Sequence, residues 1–368
     1  MTAHATMQTK ETIMLTPGPV PVRQDISAAQ DQLMISHRSA EFGALYENLC
    51  RRLTDYLGAT EAFVLTGSGA LGLEALFANL TFREQTALCL PNGEFGEKLV
   101  ETARVYTSVK TATLPGGQGW NLARAKAHID ASGAEVLALL YNETGYGVKN
   151  DIEEICRYAK SKSMITIIDG VSAWPGTKFN MKDFSVDGFV TGSQKDIGAP
   201  PGLALLGLSR TAADRIRDRA SIPSYYFDLR RHQKRFAKDK QTPNTPAISL
   251  MWALQKAFDI LDESGGLDEC VTRHTAAAAH LRERLKTLGF KLVAEEGFAS
   301  NTVTGFVCQS ATQAKMIKSR LEKDYHIIIA GCRGDFTDTG LRIAHMGNFD
   351  PAHLEQCLRA IEDITKNK

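Results

Sequence analysis

Three features of the chain carry residue types that could do chemistry together. The first is Gly67-Ser68-Gly69-Ala70-Leu71-Gly72, which follows an apolar run and opens a helical stretch. Free N–H groups at a helix start, reinforced by the positive end of the helix dipole, form a site for a phosphate. The second is Asp169, at the end of the apolar run Ile165–Asp169. Strand ends of an open α/β sheet point into its ligand crevice, and a carboxylate there must find a cation or a hydrogen-bond donor. The third is Lys195, in Thr191-Gly192-Ser193-Gln194-Lys195 just past the next predicted strand. Together they supply an amine for a Schiff base, an acid to keep a ring nitrogen protonated and an anion hole, the three requirements of a pyridoxal phosphate site.

The glycine cluster also fits the GxGxxG pattern of dinucleotide binding. That reading requires an acid at the end of the next strand, about 20 residues on, to grip a ribose. Here the second predicted strand ends Leu88-Cys89-Leu90-Pro91-Asn92. A nicotinamide site therefore lacks its second anchor.

Positioning these groups requires a sheet. Seven short apolar runs, at 62–66, 86–90, 108–114, 135–141, 165–169, 188–191 and 203–208, alternate with helix-length segments such as 71–80, 96–104 and 152–161. This alternation predicts βα units around a mostly parallel seven-stranded sheet. After Asp228 the period becomes helical, with helices predicted over 249–262 and, past Gly265-Gly266, over 269–288. From Asn301 the order reads strand, helix (311–322), strand (327–330), strand (340–344), helix (352–365), which predicts a small α+β domain. The expected organisation is an N-terminal segment (residues 1–30) packing with the small domain, a large domain (31–260) and a small C-terminal domain (261–368).

Composition agrees with two compact units. The 368 residues are 43% hydrophobic and 23% charged, with 30 Gly and 12 Pro, which excludes a disordered, collagen-like or coiled-coil chain. The length exceeds the ~250–300 residues at which single cores stop growing. A formal charge of +1 argues against a dedicated nucleic-acid or anionic-membrane surface. No apolar run approaches the ~18–20 residues that span a bilayer, and Met1–Ile13 is polar, unlike a signal peptide. The seven cysteines are scattered and never form a CxxC pair, so neither a disulfide framework nor a zinc site is expected. A cytoplasmic protein without membrane or nucleic-acid partners is the expectation.

Over nearly its whole length the chain resembles the class V, fold-type I pyridoxal phosphate aminotransferases of the alanine–glyoxylate and serine–pyruvate type. The resemblance runs from Leu15-Thr16-Pro17-Gly18-Pro19 and Ser36-His37-Arg38-Ser39, through Gly67-Ser68-Gly69 and Ser193-Gln194-Lys195, to Gly198-Ala199-Pro200-Pro201-Gly202 and Leu341-Arg342-Ile343-Ala344-His345-Met346-Gly347. It implies that Lys195 is the Schiff-base lysine and that Asp169 partners the pyridine nitrogen. Ser68, Gly69 and Ala70 would hold the phosphate beside Gln194, with Val171 in the same cofactor-binding set. Phe95 stands where relatives stack an aromatic on the ring, and Thr144 where a hydroxyl meets the ring oxygen. In Thr242-Pro243-Asn244-Thr245-Pro246 the family supplies a phosphate contact from a neighbouring subunit, assigned here to Thr245, with Thr242 as the alternative, which implies a homodimer. Arg342 matches the arginine that clamps the substrate carboxylate. The implied reaction moves an amino group from a small donor such as alanine or serine to glyoxylate or pyruvate, with 2-aminoethylphosphonate as an alternative donor.

Two residues depart from that pattern. Arg333, in Gly331-Cys332-Arg333-Gly334, could reach an acidic side group of a substrate. Cys332 raises a cysteine desulfurase reading, since those enzymes share the fold and carry a nucleophilic Cys before the substrate arginine. They usually place a His before the Schiff-base lysine, where this chain has Gln194, and the stretch from Cys332 to Arg342 is short for a mobile sulfur-carrying loop.

Overall fold

The computed structural model describes residues 12–366. Its centre is a sheet of β1 (Glu61–Thr66), β2 (Thr86–Cys89), β3 (Ser108–Thr111), β4 (Val136–Leu140), β5 (Ile165–Asp169), β6 (Gly188–Gly192) and β7 (Leu203–Leu208), in spatial order β1-β7-β6-β5-β4-β2-β3. Five neighbouring strands run parallel, whereas β7 is antiparallel to both β6 and β1, pairing Leu203 with Thr66 and Ala204 with Gly192. The central strands read as continuous apolar runs because both faces are covered. Period-two alternation sorts the side chains: Leu203 and Leu205 join one core with Leu53, Trp174 and Phe189, and Ala204, Leu206 and Leu208 join the other with Leu76, Phe77 and Val100.

Helix α1 (Ala40–Leu57) starts at Ser39, whose hydroxyl accepts from the Phe42 N–H, and stops at Gly58 in the left-handed conformation. Helices α2 (Gly69–Leu80) and α3 (Glu94–Tyr106) follow β1 and β2 directly. Helix α4 (Ile248–Glu263) buries Ile248, Met251, Leu254 and Phe258 in the first core. A left-handed Gly265 separates it from α5 (Gly266–Thr287).

The second sheet has strands β8 (Lys291–Leu292), β9 (Val303–Val307), β10 (Ala330–Gly331) and β11 (Gly340–Ala344), all antiparallel in the order β8-β9-β11-β10. Helices α6 (Ala311–Tyr325) and α7 (Pro351–Lys366) cover it, and Leu281 and Leu285 of α5 complete its core. The single strand predicted at 327–330 divides. Ile327–Ile328 pairs in parallel with Ile13–Met14, Ile329 turns into the core, and Ala330–Gly331 pairs with β11. After Leu15 the N-terminal chain crosses toward β6, where the Val20 N–H donates to the Gln194 carbonyl at 3.0 Å. Its helix Gln24–Ala28 then places Ile26 in the same core as α4. Residues 1–11 lie outside the description. Among the described residues no helix is long and apolar enough to cross a membrane.

Candidate active site

Groups from five strands meet at one edge of the large sheet, because each sits at or just past a strand's C-terminal end: Ser68 after β1, Phe95 after β2, Thr144 after β4, Asp169 ending β5 and Lys195 after β6. Lys195 lies in a turn held by its own bonds, with the Gly198 N–H on the Lys195 carbonyl and the Ser193 hydroxyl on that of Pro200. The Lys195 amine donates to the Pro17 carbonyl. Gly18, at φ +99°, makes room for the lysine stem, since a Cβ there would lie 2.6 Å from Lys195 Cδ. Burial first, and the Arg342 charge second, bring the Lys195 amine down to about 8. A neutral amine is therefore much more accessible near neutral pH than in an ordinary solvated lysine.

Asp169 is directed by one backbone bond, the Val171 N–H to Oδ1 at 2.9 Å, and takes part in no ion pair among the described residues. Burial raises its carboxyl to about 6, with Val171 and Lys195 pulling the other way. Val171 packs against Gly69. Ser68 is the N-cap of α2 and makes no side-chain cap bond, so its hydroxyl and the first-turn N–H groups of Gly69 and Ala70 are open to an anion. The buried Gln194 Oε1, next to Lys195, has no hydrogen-bond partner among the described residues. Phe95 is half-buried with its ring centroid 5.9 Å from Lys195 Nζ. The Thr144 hydroxyl lies 2.6 Å from the Ser172 hydroxyl, which in turn bonds Asn142.

Arg342, on β11, is 4% exposed and has no carboxylate at ion-pair distance among the described residues; its Nε and Nη1 donate to the carbonyls of Gly331 and Thr144 at 2.8 and 2.5 Å. A buried guanidinium satisfied only by carbonyls is a cation awaiting an anion. Arg333 stands at the rim, half exposed, 3.8 Å from Glu94. Thr245 is not brought into this cluster. It is exposed, 3.5 Å from His37, whereas the Thr242 hydroxyl is spent on the Asn244 carbonyl. Cys332 is buried beside Arg342's strand, where its thiol faces the Leu341 carbonyl and burial raises it, which disfavours a nucleophilic thiolate.

Two acids that the sequence reading passed over complete the site. Glu143 is fully buried; Oε2 accepts the N–H groups of Phe95 and Gly96 at 3.0 Å, and Oε1 that of Gly145 at 2.7 Å. It thus ties the aromatic wall to the loop that holds Arg342, in space left by Gly93, whose Cβ would meet Glu143 Cδ at 2.6 Å. Burial raises its carboxyl to about 7 against those donors. The strand-end argument that singles out Asp169 applies equally to this acid beyond β4.

Asp196, next to Lys195, is the second. It forms a fully buried ion pair with His274 of α5 at 2.9 Å, and accepts the N–H groups of Gly176 and Gly347. Burial alone would lower the His274 imidazole, but the Asp196 carboxylate prevails and raises it to about 10. A raised folded-state value stabilises fully below the unfolded value near 6.5, and that contribution is lost as pH rises toward 10. Asp196→Asn should therefore cost about 3–5 kcal/mol at pH 6, with the deficit shrinking toward pH 10. Urea unfolding of both proteins across that range checks this, and a deficit independent of pH would contradict it.

Comparison with known proteins identifies the chain's relatives. The family model for aminotransferase class V matches residues 24–336. The chain is 30% identical over 338 residues to an uncharacterized aminotransferase of Methanocaldococcus jannaschii, covering 91% of this chain and 88% of the relative. It is 28% identical to the L-aspartate–glyoxylate aminotransferase of Paracoccus denitrificans, over 94% and 88% of the two chains. The crystal structure of alanine–glyoxylate aminotransferase from Nostoc sp. superposes with a TM-score of 0.92 at 23% identity, covering 99% and 98%.

Proposed function

Since the chain belongs to the class V aminotransferases and has their fold-type I architecture, we propose that it uses pyridoxal 5′-phosphate to move an amino group from a small amino donor, such as alanine or serine, to glyoxylate or pyruvate. The observation that carries this reading is that the Lys195 amine lies 5.9 Å from the Phe95 ring, with the Asp169 carboxyl held by the Val171 N–H alone and Arg342 bonded to two carbonyls and, among the described residues, to no carboxylate. The residues present fit the cofactor: the first turn of α2 is uncapped and offers N–H donors to a phosphate, and the Lys195 amine lies over the Phe95 ring. Pyridoxal phosphate supplies an aldehyde that condenses with amino groups and a ring that takes up carbanion charge.

The chain's residues do the rest. Ser68, Gly69 and Ala70 hold the phosphate, Gln194 and Val171 flank it, and Phe95 covers the ring face. Thr144 would meet the ring hydroxyl, and Asp169 would hold a proton on the ring nitrogen. Lys195 would anchor the cofactor through its amine, and the same amine would move the proton at the donor's α-carbon. Arg342 grips the carboxylate that every donor and acceptor shares. Thr245 reaches the phosphate of a neighbouring subunit in a homodimer, which its exposed position supports. A large PLP-binding unit and a small C-terminal one, built on the two sheets, are the corresponding domains, and seven free cysteines suit a cytoplasmic enzyme.

Amino transfer itself is tested by incubating the cofactor-loaded protein with L-alanine or L-serine and following loss of the bound cofactor's visible band, then its return on adding glyoxylate or pyruvate. Bleaching and recovery support the reading; release of sulfide from cysteine in their place overturns it. Arg342→Ala should lower kcat/KM for every carboxylate substrate by about one to two orders of magnitude, since hydrogen bonds to a charged group contribute roughly 1.5–3 kcal/mol. A loss confined to one substrate would contradict a shared clamp.

A further inference from the structure

Two guanidinium groups face the mouth of the site, and only one of them is committed. Arg342 is buried and spends Nε and Nη1 on carbonyls, which leaves a fixed set of donors for one carboxylate. Arg333 is the reverse case, with a pinned backbone and a free side chain. Its N–H donates to the Gly145 carbonyl at 3.2 Å, and its Cβ and Cγ pack over Gly145, the residue after Arg342's anchor Thr144. Two residues on, Asp335 accepts the Gly116 N–H at 3.0 Å and donates its own N–H to the Tyr146 hydroxyl at 3.4 Å. The loop is thereby fastened to the wall of the site, while the Arg333 side chain stays 54% exposed.

The group opposite is Glu94, immediately before Phe95. Its Oε2 is 3.8 Å from Arg333 Nε, and its Oε1 pairs with Lys98 at 3.1 Å. Lys98 first, then Arg333 and Arg342, hold the Glu94 carboxyl below its ordinary value, so it is an anion at neutral pH. A carboxylate of the protein therefore already faces the Arg333 guanidinium.

We propose that Glu94 and Arg333 form a displaceable latch: it stays shut over monoanionic substrates and opens for an amino-dicarboxylate donor, whose second carboxylate takes Glu94's place on Arg333. The proposal rests on the amino-transfer reading above and extends its donors from alanine and serine to a second class. An exposed ion pair at this spacing is weak and cheaply opened, and Glu94 keeps Lys98 when it lets go. A guanidinium at a partly dry mouth binds a carboxylate better when the contact is bidentate, which the 3.8 Å pair is not. The same pocket can then receive a dianionic donor in one half-reaction and glyoxylate, with the latch shut, in the other.

The test uses the cofactor-loaded full chain with glyoxylate as acceptor and reads the ratio of kcat/KM for L-aspartate to that for L-alanine. Arg333→Gln should lower this ratio at least about tenfold, and Glu94→Gln should raise it about threefold. Binding of maleate, a dicarboxylate without an amino group, should weaken by a similar factor in Arg333→Gln when measured by calorimetry, a readout that turnover does not enter. A ratio and a maleate affinity unchanged in Arg333→Gln would overturn the latch while leaving amino transfer intact. Absence of transfer from either donor in the parent protein would overturn both.

Discussion

Replacing Lys195 by arginine is expected to reduce amino transfer by about 10³-fold or more, the upper part of what a positioned proton-transfer group contributes, with the fold intact. Arginine keeps the positive charge and most of the bulk against Gly18 and Pro17, so a charge-only or structural role for this position would survive the change. What arginine cannot do is offer a neutral nitrogen, because its guanidinium does not lose a proton in proteins. Lys195 is prepared to do so: burial and the Arg342 charge lower its amine to about 8. Stopped-flow mixing of the cofactor-loaded variant with donor, compared with the parent, makes the measurement. Turnover within tenfold of the parent would show that another amine carries the reaction.

Asp169→Asn should be the next most damaging change, with a loss of about a hundredfold. The amide keeps an oxygen for the Val171 N–H but no longer offers a carboxylate to a ring N–H. Losing a buried hydrogen bond to a charged group costs up to about 3 kcal/mol, and each 1.36 kcal/mol is tenfold in rate. The parent's rate should also fall at acid pH, because burial raises the Asp169 carboxyl to about 6 and its protonation removes the anion. A cationic ring would draw that value down, which places the acid limb at or below pH 6, and the Asn variant should lack it. Steady-state rates between pH 5 and 8 for both proteins decide this, and an unchanged acid limb in the variant would contradict the assignment.

How much of this was legible follows from where each signal lies. The seven-stranded sheet was readable because its central strands are apolar on both faces, and Asp169 and Lys195 because a charged residue just past such a run is conspicuous. The antiparallel β7 had a signal that was not used: ten residues separate Gly192 from Leu203, too few for the crossover helix that a parallel connection needs. Glu143 was hidden by its neighbours, since Asn142-Glu143-Thr144-Gly145 reads as a polar turn until Phe95 and Gly96 are folded onto it. Asp196 reads as a solvated acid because its partner His274 comes from a distant helix, and no local spacing reports a pair made by tertiary packing. The Arg333–Glu94 contact has the same origin: the arginine was visible as a departure from family resemblance, but what faces it was not.

Lys195 is the residue expected to bond the cofactor. This is tested most directly by loading the protein with pyridoxal phosphate, reducing it with borohydride, and locating the modification by peptide mass mapping. The account predicts one phosphopyridoxyl group per chain, on the peptide containing Ser193-Gln194-Lys195, and none at that stoichiometry on the Lys195→Arg variant. A reduced adduct on any other lysine, or equal labelling of the variant, would contradict it.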